Sequence, residues 1–139
     1  MNPATETRLA TMSGEVVHFE LPADNVERAQ TFYRKTFGWK MDPIPGMGYT
    51  MVGTSPSDEN GVPKEPGAIN GGMARREAPL NAPVFTILVD DIEGSAKAIA
   101  KNGGKVVRKK MEIGGGMGYA AYFADCEGNI VGLYQRPKE

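Results

Sequence analysis

The sequence predicts an α+β fold of two fused βαβββ modules, their strands forming a curved, cup-like mixed sheet with helices on the outer face. Three observations predict it. The 139-residue chain matches itself once along its length, both copies show the same order of strand and helix periodicities, and each copy holds one amphipathic helix.

The repeat sets the frame. Phe19 aligns with Phe85, Asp24 with Asp90, Glu27 with Glu93, Lys35 with Lys101 and Gly38 with Gly104, all at one offset. At a slightly larger offset, Gly46-Met47-Gly48-Tyr49 recurs intact as Gly116-Met117-Gly118-Tyr119. The period is too long for a solenoid unit and only two copies fit, so the repeat reads as a duplicated supersecondary module.

Residues 1–13 read as a flexible polar tail, and 14–139 as a single domain with module one at about 14–78 and module two at about 83–137. Val16 to Leu21 alternates as a strand does and is rich in β-branched and aromatic residues. Asp24 and Glu27 then form a capping pair. The helix beyond them carries Val26, Ala29, Phe32, Tyr33 and Phe37 along one side and stops at Gly38. Short extended segments follow at about Lys40 to Asp42, Gly48 to Gly53 and Ala68 to Ala74. A loop rich in Ser, Asp, Asn, Pro and Gly, Thr54 to Gly67, interrupts them. Pro79 to Pro83 is too short a link to separate independent domains.

The second copy repeats the order. Val84 to Val89 is a strand, Asp90 and Glu93 are the capping pair, and Ile92, Ala96, Ile99 and Ala100 form the apolar stripe of a helix ended by Gly103-Gly104. Strands follow at about Lys105 to Lys110, Tyr119 to Phe123 and Ile130 to Tyr134. One helix covers only one face of its sheet, so the opposite faces are expected to enclose a cup.

Composition excludes several classes. With 16 basic and 17 acidic residues the formal charge is -1, and the densest basic run, Val107-Arg108-Lys109-Lys110, reads as a solvated strand edge, so no nucleic-acid partner is expected. No stretch nears the ~20 apolar residues of a membrane helix, and no secretory signal precedes the domain, so no membrane partner is expected. Cys126 is the only cysteine, which suits a reducing compartment and a cytoplasmic location.

Candidate site residues follow from alternation. Val17, Phe19 and Leu21 point to one side of the first strand, His18 and Glu20 to the other, the cup side. His18 and Glu20 are the best acid/base pair in the chain. Tyr49 and Tyr119, equivalent in the repeat, are expected to wall the pocket, although a tyrosine opening a strand is also ordinary sheet chemistry. Met51, Asn70 and Thr86 complete the expected ligand-binding set. Asn70-Gly71-Gly72 marks a bulge or a close approach by ligand or backbone.

The chain resembles the vicinal oxygen chelate superfamily, which includes glyoxalase I, extradiol dioxygenases and bleomycin-resistance proteins. The resemblance rests on His18, Asn25-Val26-Glu27-Arg28-Ala29, Phe32-Tyr33 and Phe37-Gly38-Trp39, and on Asp125-Cys126-Glu127-Gly128-Asn129 leading into Ile130 to Leu133. It implies paired βαβββ modules, a homodimer whose interface is an alternative role for Asn70-Gly71-Gly72 and, in metal-dependent members, a divalent ion held by residues of the first and last strands. His18 matches the first ligand position and is the only candidate at a family position. Its second-module counterpart is Val84, the last-strand carboxylate falls on Gly132, and no acidic residue lies between Ala68 and Ala74. No metal set and no cofactor is therefore assigned.

Three functions remain open. The leading one is a glyoxalase-like protein, binding a small organic molecule or acting on it without metal as a lyase or isomerase. A divalent-metal lyase or dioxygenase with ligands completed across a homodimer is the second. Sequestration of a drug or metabolite, as in bleomycin resistance, is the third.

Overall fold

The computed structural model describes residues 13–138. The expected flexible tail lies outside the described residues except for Ser13. Eight strands and two helices follow in the order β1 (Val16–Ala23), α1 (Val26–Phe37), β2 (Lys40–Ile44), β3 (Tyr49–Gly53), β4 (Gly71–Arg75), β5 (Val84–Leu88), α2 (Ile92–Lys101), β6 (Lys105–Glu112), β7 (Tyr119–Ala124) and β8 (Ile130–Gln135). This is the β-α-β-β-β order twice over. Two compact units result, one of Val17–Val84 and one of residues 13–16 with 85–138.

In the first unit the strands bond in the order β2-β3-β4-β1, with β1 and β4 parallel and the other pairs antiparallel. The second unit repeats this as β5-β8-β7-β6, with β5 and β8 parallel. The curved, cup-like sheet expected from the sequence is corrected here: the mixed sheet is neither strongly curled nor closed. The bonding order stops at β2 in one unit and at β6 in the other. Closure would need those edges to pair again with a consistent stagger, and neither does.

Each helix covers one face of its own sheet. Under α1 lie Ala23, Met41, Val52 and Met73, the last two only 1% exposed, with Phe19, Leu21 and Trp39 packed around them. Trp39 stacks on Tyr33 with ring centroids 4.8 Å apart. Gln30 of α1 donates to Thr50 Oγ1 at 2.8 Å, which satisfies a buried hydroxyl of β3. Ile92 of α2 packs with Val89, Ala121, Phe123, Val131 and Leu133 beneath the helix.

Both caps fall one residue later than the sequence pattern suggests. Asn25 caps α1, its side chain accepting from Arg28 N at 3.0 Å, and Asp91 caps α2, accepting from Glu93 N and Gly94 N. An N-cap is the extended residue directly before the first helical one, and β1 runs on to Ala23 before the chain turns. Asp24 instead pairs with Arg76 at 3.0 Å, and Asp90 accepts from Ser13 Oγ. Gly38 ends α1 at φ 73°, a left-handed conformation in which its N–H reaches Arg34 O.

Candidate functional site

The pleat puts His18 and Glu20 on the face of the first unit opposite α1, because their neighbours Phe19 and Leu21 pack beneath the helix. Tyr49 and Met51 of β3 share that face, since Thr50 and Val52 between them are buried on the helix side. β4 lies between β3 and β1, so a side chain from one must cross about 9.5 Å of sheet to reach the other.

Gly72 makes that crossing available. It sits opposite Glu20 on β1 and opposite Met51 on β3. A Cβ built on Gly72 would overlap the phenol of Tyr49. With no side chain there, the ring lies across β4 and its hydroxyl hydrogen-bonds His18 Nε2 at 2.8 Å. The two rings are nearly parallel, 16° apart, with centroids at 6.5 Å. The phenol donates when the ring proton is on Nδ1, and the imidazole donates in the other tautomer.

Electrostatics favour a neutral imidazole. Burial pushes the His18 pKa below its ordinary value, and the negative charge of Glu20 opposes the shift without reversing it. Glu20 is itself 9% exposed. The cluster thus offers a neutral imidazole, a phenol hydroxyl and a carboxylate on one face, groups that can donate or accept a proton at a bound molecule.

Of the other sequence candidates, Asn70 is committed to a loop of the first unit, and Thr86 and Tyr119 belong to the second unit. Asn70 accepts from Thr54 N at 2.9 Å and donates to Ser57 Oγ at 2.7 Å and to Gly61 O at 3.1 Å. Its amide therefore pins the 54–67 loop. Thr86 belongs to the second unit, is 6% exposed and sits opposite Gly132. Tyr119, also in the second unit, packs against the core beneath α2. Its place differs from that of Tyr49 because Tyr49 pairs with Ala74 whereas Tyr119 pairs with Gln135. Gln135 is buried, its Oε1 accepting from Ile92 N at 2.9 Å at the start of α2. One residue of register flips a side chain to the other face. The tyrosine opposite Ala120, at the register place of Tyr49, is Tyr134, whose hydroxyl donates to Met117 O at 2.7 Å.

A divalent ion of the kind the resemblance implies does not fit these residues. Gly72 and Gly132 hold the same register place in the two units, opposite Glu20 and Thr86. Neither can supply a carboxylate, and the space a side chain would take is filled by Tyr49 in one case and by Thr86 Oγ1 in the other. Val84, the counterpart of His18, is a buried apolar residue. Among the described residues no three His, Cys, Asp or Glu side chains cluster closely enough to hold a metal ion.

Sequence reasoning paired His18 with Glu20 and named Tyr49 as a pocket wall but did not bring Tyr49 to His18. The signal that could have done so was Gly71-Gly72, read as a close approach. The approaching groups are the protein's own: Phe19 at Gly71 on the helix face and Tyr49 at Gly72 on the other.

Comparison with known proteins agrees with this architecture. Residues 15–55 match the family model described as bleomycin resistance protein-like N-terminal. A glyoxylase-like domain-containing protein of Didymella fabae is 33% identical over 130 residues, 91% of this chain and 97% of its own length. Among solved structures, a hypothetical protein from Bacillus halodurans C-125 superposes with a TM-score of 0.61 at 14% identity, over 91% of this chain and 97% of that one. Methylmalonyl-CoA epimerase from Streptomyces coelicolor, solved with 2-nitronate-propionyl-CoA, gives 0.59 at 16% identity, over 87% and 96%. At those identities the solved structures establish fold alone. The fold, the lost ligand positions and the Didymella relative lead to one statement: the chain belongs to the vicinal oxygen chelate superfamily, the glyoxalase and bleomycin-resistance group, as a member with no evident metal-binding cluster among its described residues.

Proposed function

We propose that this chain binds a small, partly apolar organic molecule on the His18 face of its first unit and moves a proton there without a resident metal. The observation that carries the reading is the 2.8 Å His18–Tyr49 hydrogen bond beside the buried Glu20. A neutral imidazole next to a phenol can take a proton from carbon or oxygen and return it, the chemistry of an isomerase or lyase. Met51, 38% exposed on the same face, offers the ligand a soft apolar contact. Gly72 and Gly132, at the register places where carboxylate ligands are missing, support chemistry carried by the protein's own side chains.

Methylmalonyl-CoA is the ligand of one solved epimerase of this fold, so acyl thioesters are the first class to test, followed by 2-oxo aldehydes. The experiment is exchange of substrate C–H for deuterium in heavy water, followed by NMR on chelator-treated protein. Exchange should occur with at least one of these classes and fall at least about tenfold in His18→Ala and Tyr49→Phe, in line with loss of a general acid or base. Exchange that depends on added metal, or is indifferent to both substitutions, overturns the reading. We further propose a homodimer in the cytoplasm; the lone cysteine, Cys126, suits a reducing compartment.

A further inference from the structure

A cavity of about 490 Å³ lies in the second unit on the side of α2. Its apolar lining comes from Ile92 and Ala96 of α2, Val106 of β6, Ala121 of β7 and Leu133 of β8. A helix with Gly94, Ser95 and Ala96 in succession leaves room that longer side chains would fill. That volume lies in the range of small-molecule sites.

Two lysines reach the same cavity, Lys109 and Lys110. They are adjacent on β6, and a regular strand would send them to opposite faces. Here β6 slips register against β7 between Val106 and Arg108 and again between Arg108 and Met111. Such bulges re-aim side chains. The basic run that reads in the sequence as a solvated edge thus contributes two ammonium groups to one apolar hollow. Lys110 is already matched, 3.7 Å from Glu93 and 4.5 Å from the ring centre of Tyr119. Lys109 has no ion-pair partner among the described residues, so the mouth carries one uncompensated positive charge.

We propose that this cavity binds an amphipathic monocarboxylate, its apolar tail against Val106, Ala121 and Leu133 and its carboxylate at Lys109. One uncompensated cation selects a monoanion, and the apolar walls select a hydrocarbon body. The site is built from residues of the second unit alone.

The test uses decanoate as the probe, below its micelle concentration, with calorimetry on the full chain and amide NMR shifts to map it. Saturable binding is expected, with shifts centred on Ile92, Val106 and Ala121. Lys109→Glu should weaken it about fivefold or more, as expected for a reversed rim charge. Ala96→Leu should fill the cavity and abolish binding while leaving the thermal midpoint unchanged or raised. His18→Ala should bind decanoate as the natural chain does. Absence of binding at millimolar decanoate, equal affinity for decanol, full binding by Ala96→Leu, or loss of binding in His18→Ala alone overturns the proposal.

Discussion

The hydroxyl of Tyr49 reaches His18 Nε2 at 2.8 Å across a strand that carries no side chain at the crossing point. Tyr49 starts β3 and His18 lies near the start of β1, and β4 joins them in the sheet. The contact depends on Gly72 as much as on its own two partners.

Gly72→Ala should therefore break the pair. The new methyl must push the phenol aside, an overpacking that costs about 1–3 kcal/mol in a well-packed site. In a Tyr49→Ala background the same substitution should cost much less. Denaturant unfolding of the four proteins closes the cycle. Equal costs in both backgrounds would mean that the ring does not occupy the space above Gly72.

The titration of His18 should be visible in stability. Its folded-state pKa lies below the ordinary 6.5, so as the pH falls the unfolded chain takes up the proton first. The contribution is complete above about pH 6.5 and is lost as the pH falls toward the lowered folded value. Relative to His18→Gln, the natural chain should lose stability between neutral pH and that value. Glu20→Gln removes the charge that supports the imidazolium, so the NMR midpoint of His18 should move further down. An upward move contradicts this electrostatic account.

Asn70→Ala should release the 54–67 loop. Four polar contacts are lost together, to Thr54 N, Thr54 Oγ1, Ser57 Oγ and Gly61 O, for a cost of about 1–3 kcal/mol. Limited proteolysis should cut faster within 54–67, while His18 keeps its titration midpoint. A shift of that midpoint would tie Asn70 to the His18 cluster instead.

The cap assignment separates two neighbouring aspartates. Asp91→Ala should cost about 1 kcal/mol through loss of the bonds to Glu93 N and Gly94 N. Asp90→Ala removes only an exposed contact with Ser13 and should stay within about 0.5 kcal/mol of the natural chain. Chemical denaturation of both variants checks the order, and the reverse order would restore the sequence-level assignment.

The elements themselves were legible. Strand alternation, two apolar helical stripes and the internal repeat are local patterns, and they place β1 to β8, α1 and α2 to within a few residues. Helix starts were read one residue early because Asp24 and Asp90 suit a cap as well as Asn25 and Asp91 do. The difference is how far the preceding strand runs, which the pairing of Ala23 with Arg75 fixes in the first unit. The cup was not legible, since curvature depends on how strand edges pair and not on which residues form strands.

By itself the sequence determined that His18 and Glu20 share a face, because the pleat alternates along a single strand. It also placed Phe19 and Leu21 on the other face, where they pack beneath α1. Only the tertiary structure decided that Tyr49 meets His18 while Tyr119 turns under α2. Those outcomes rest on register between strands far apart in the chain, Tyr49 opposite Ala74 but Tyr119 opposite Gln135. One residue of slip between two near-identical tetrapeptides sends the same side chain to opposite faces of the sheet.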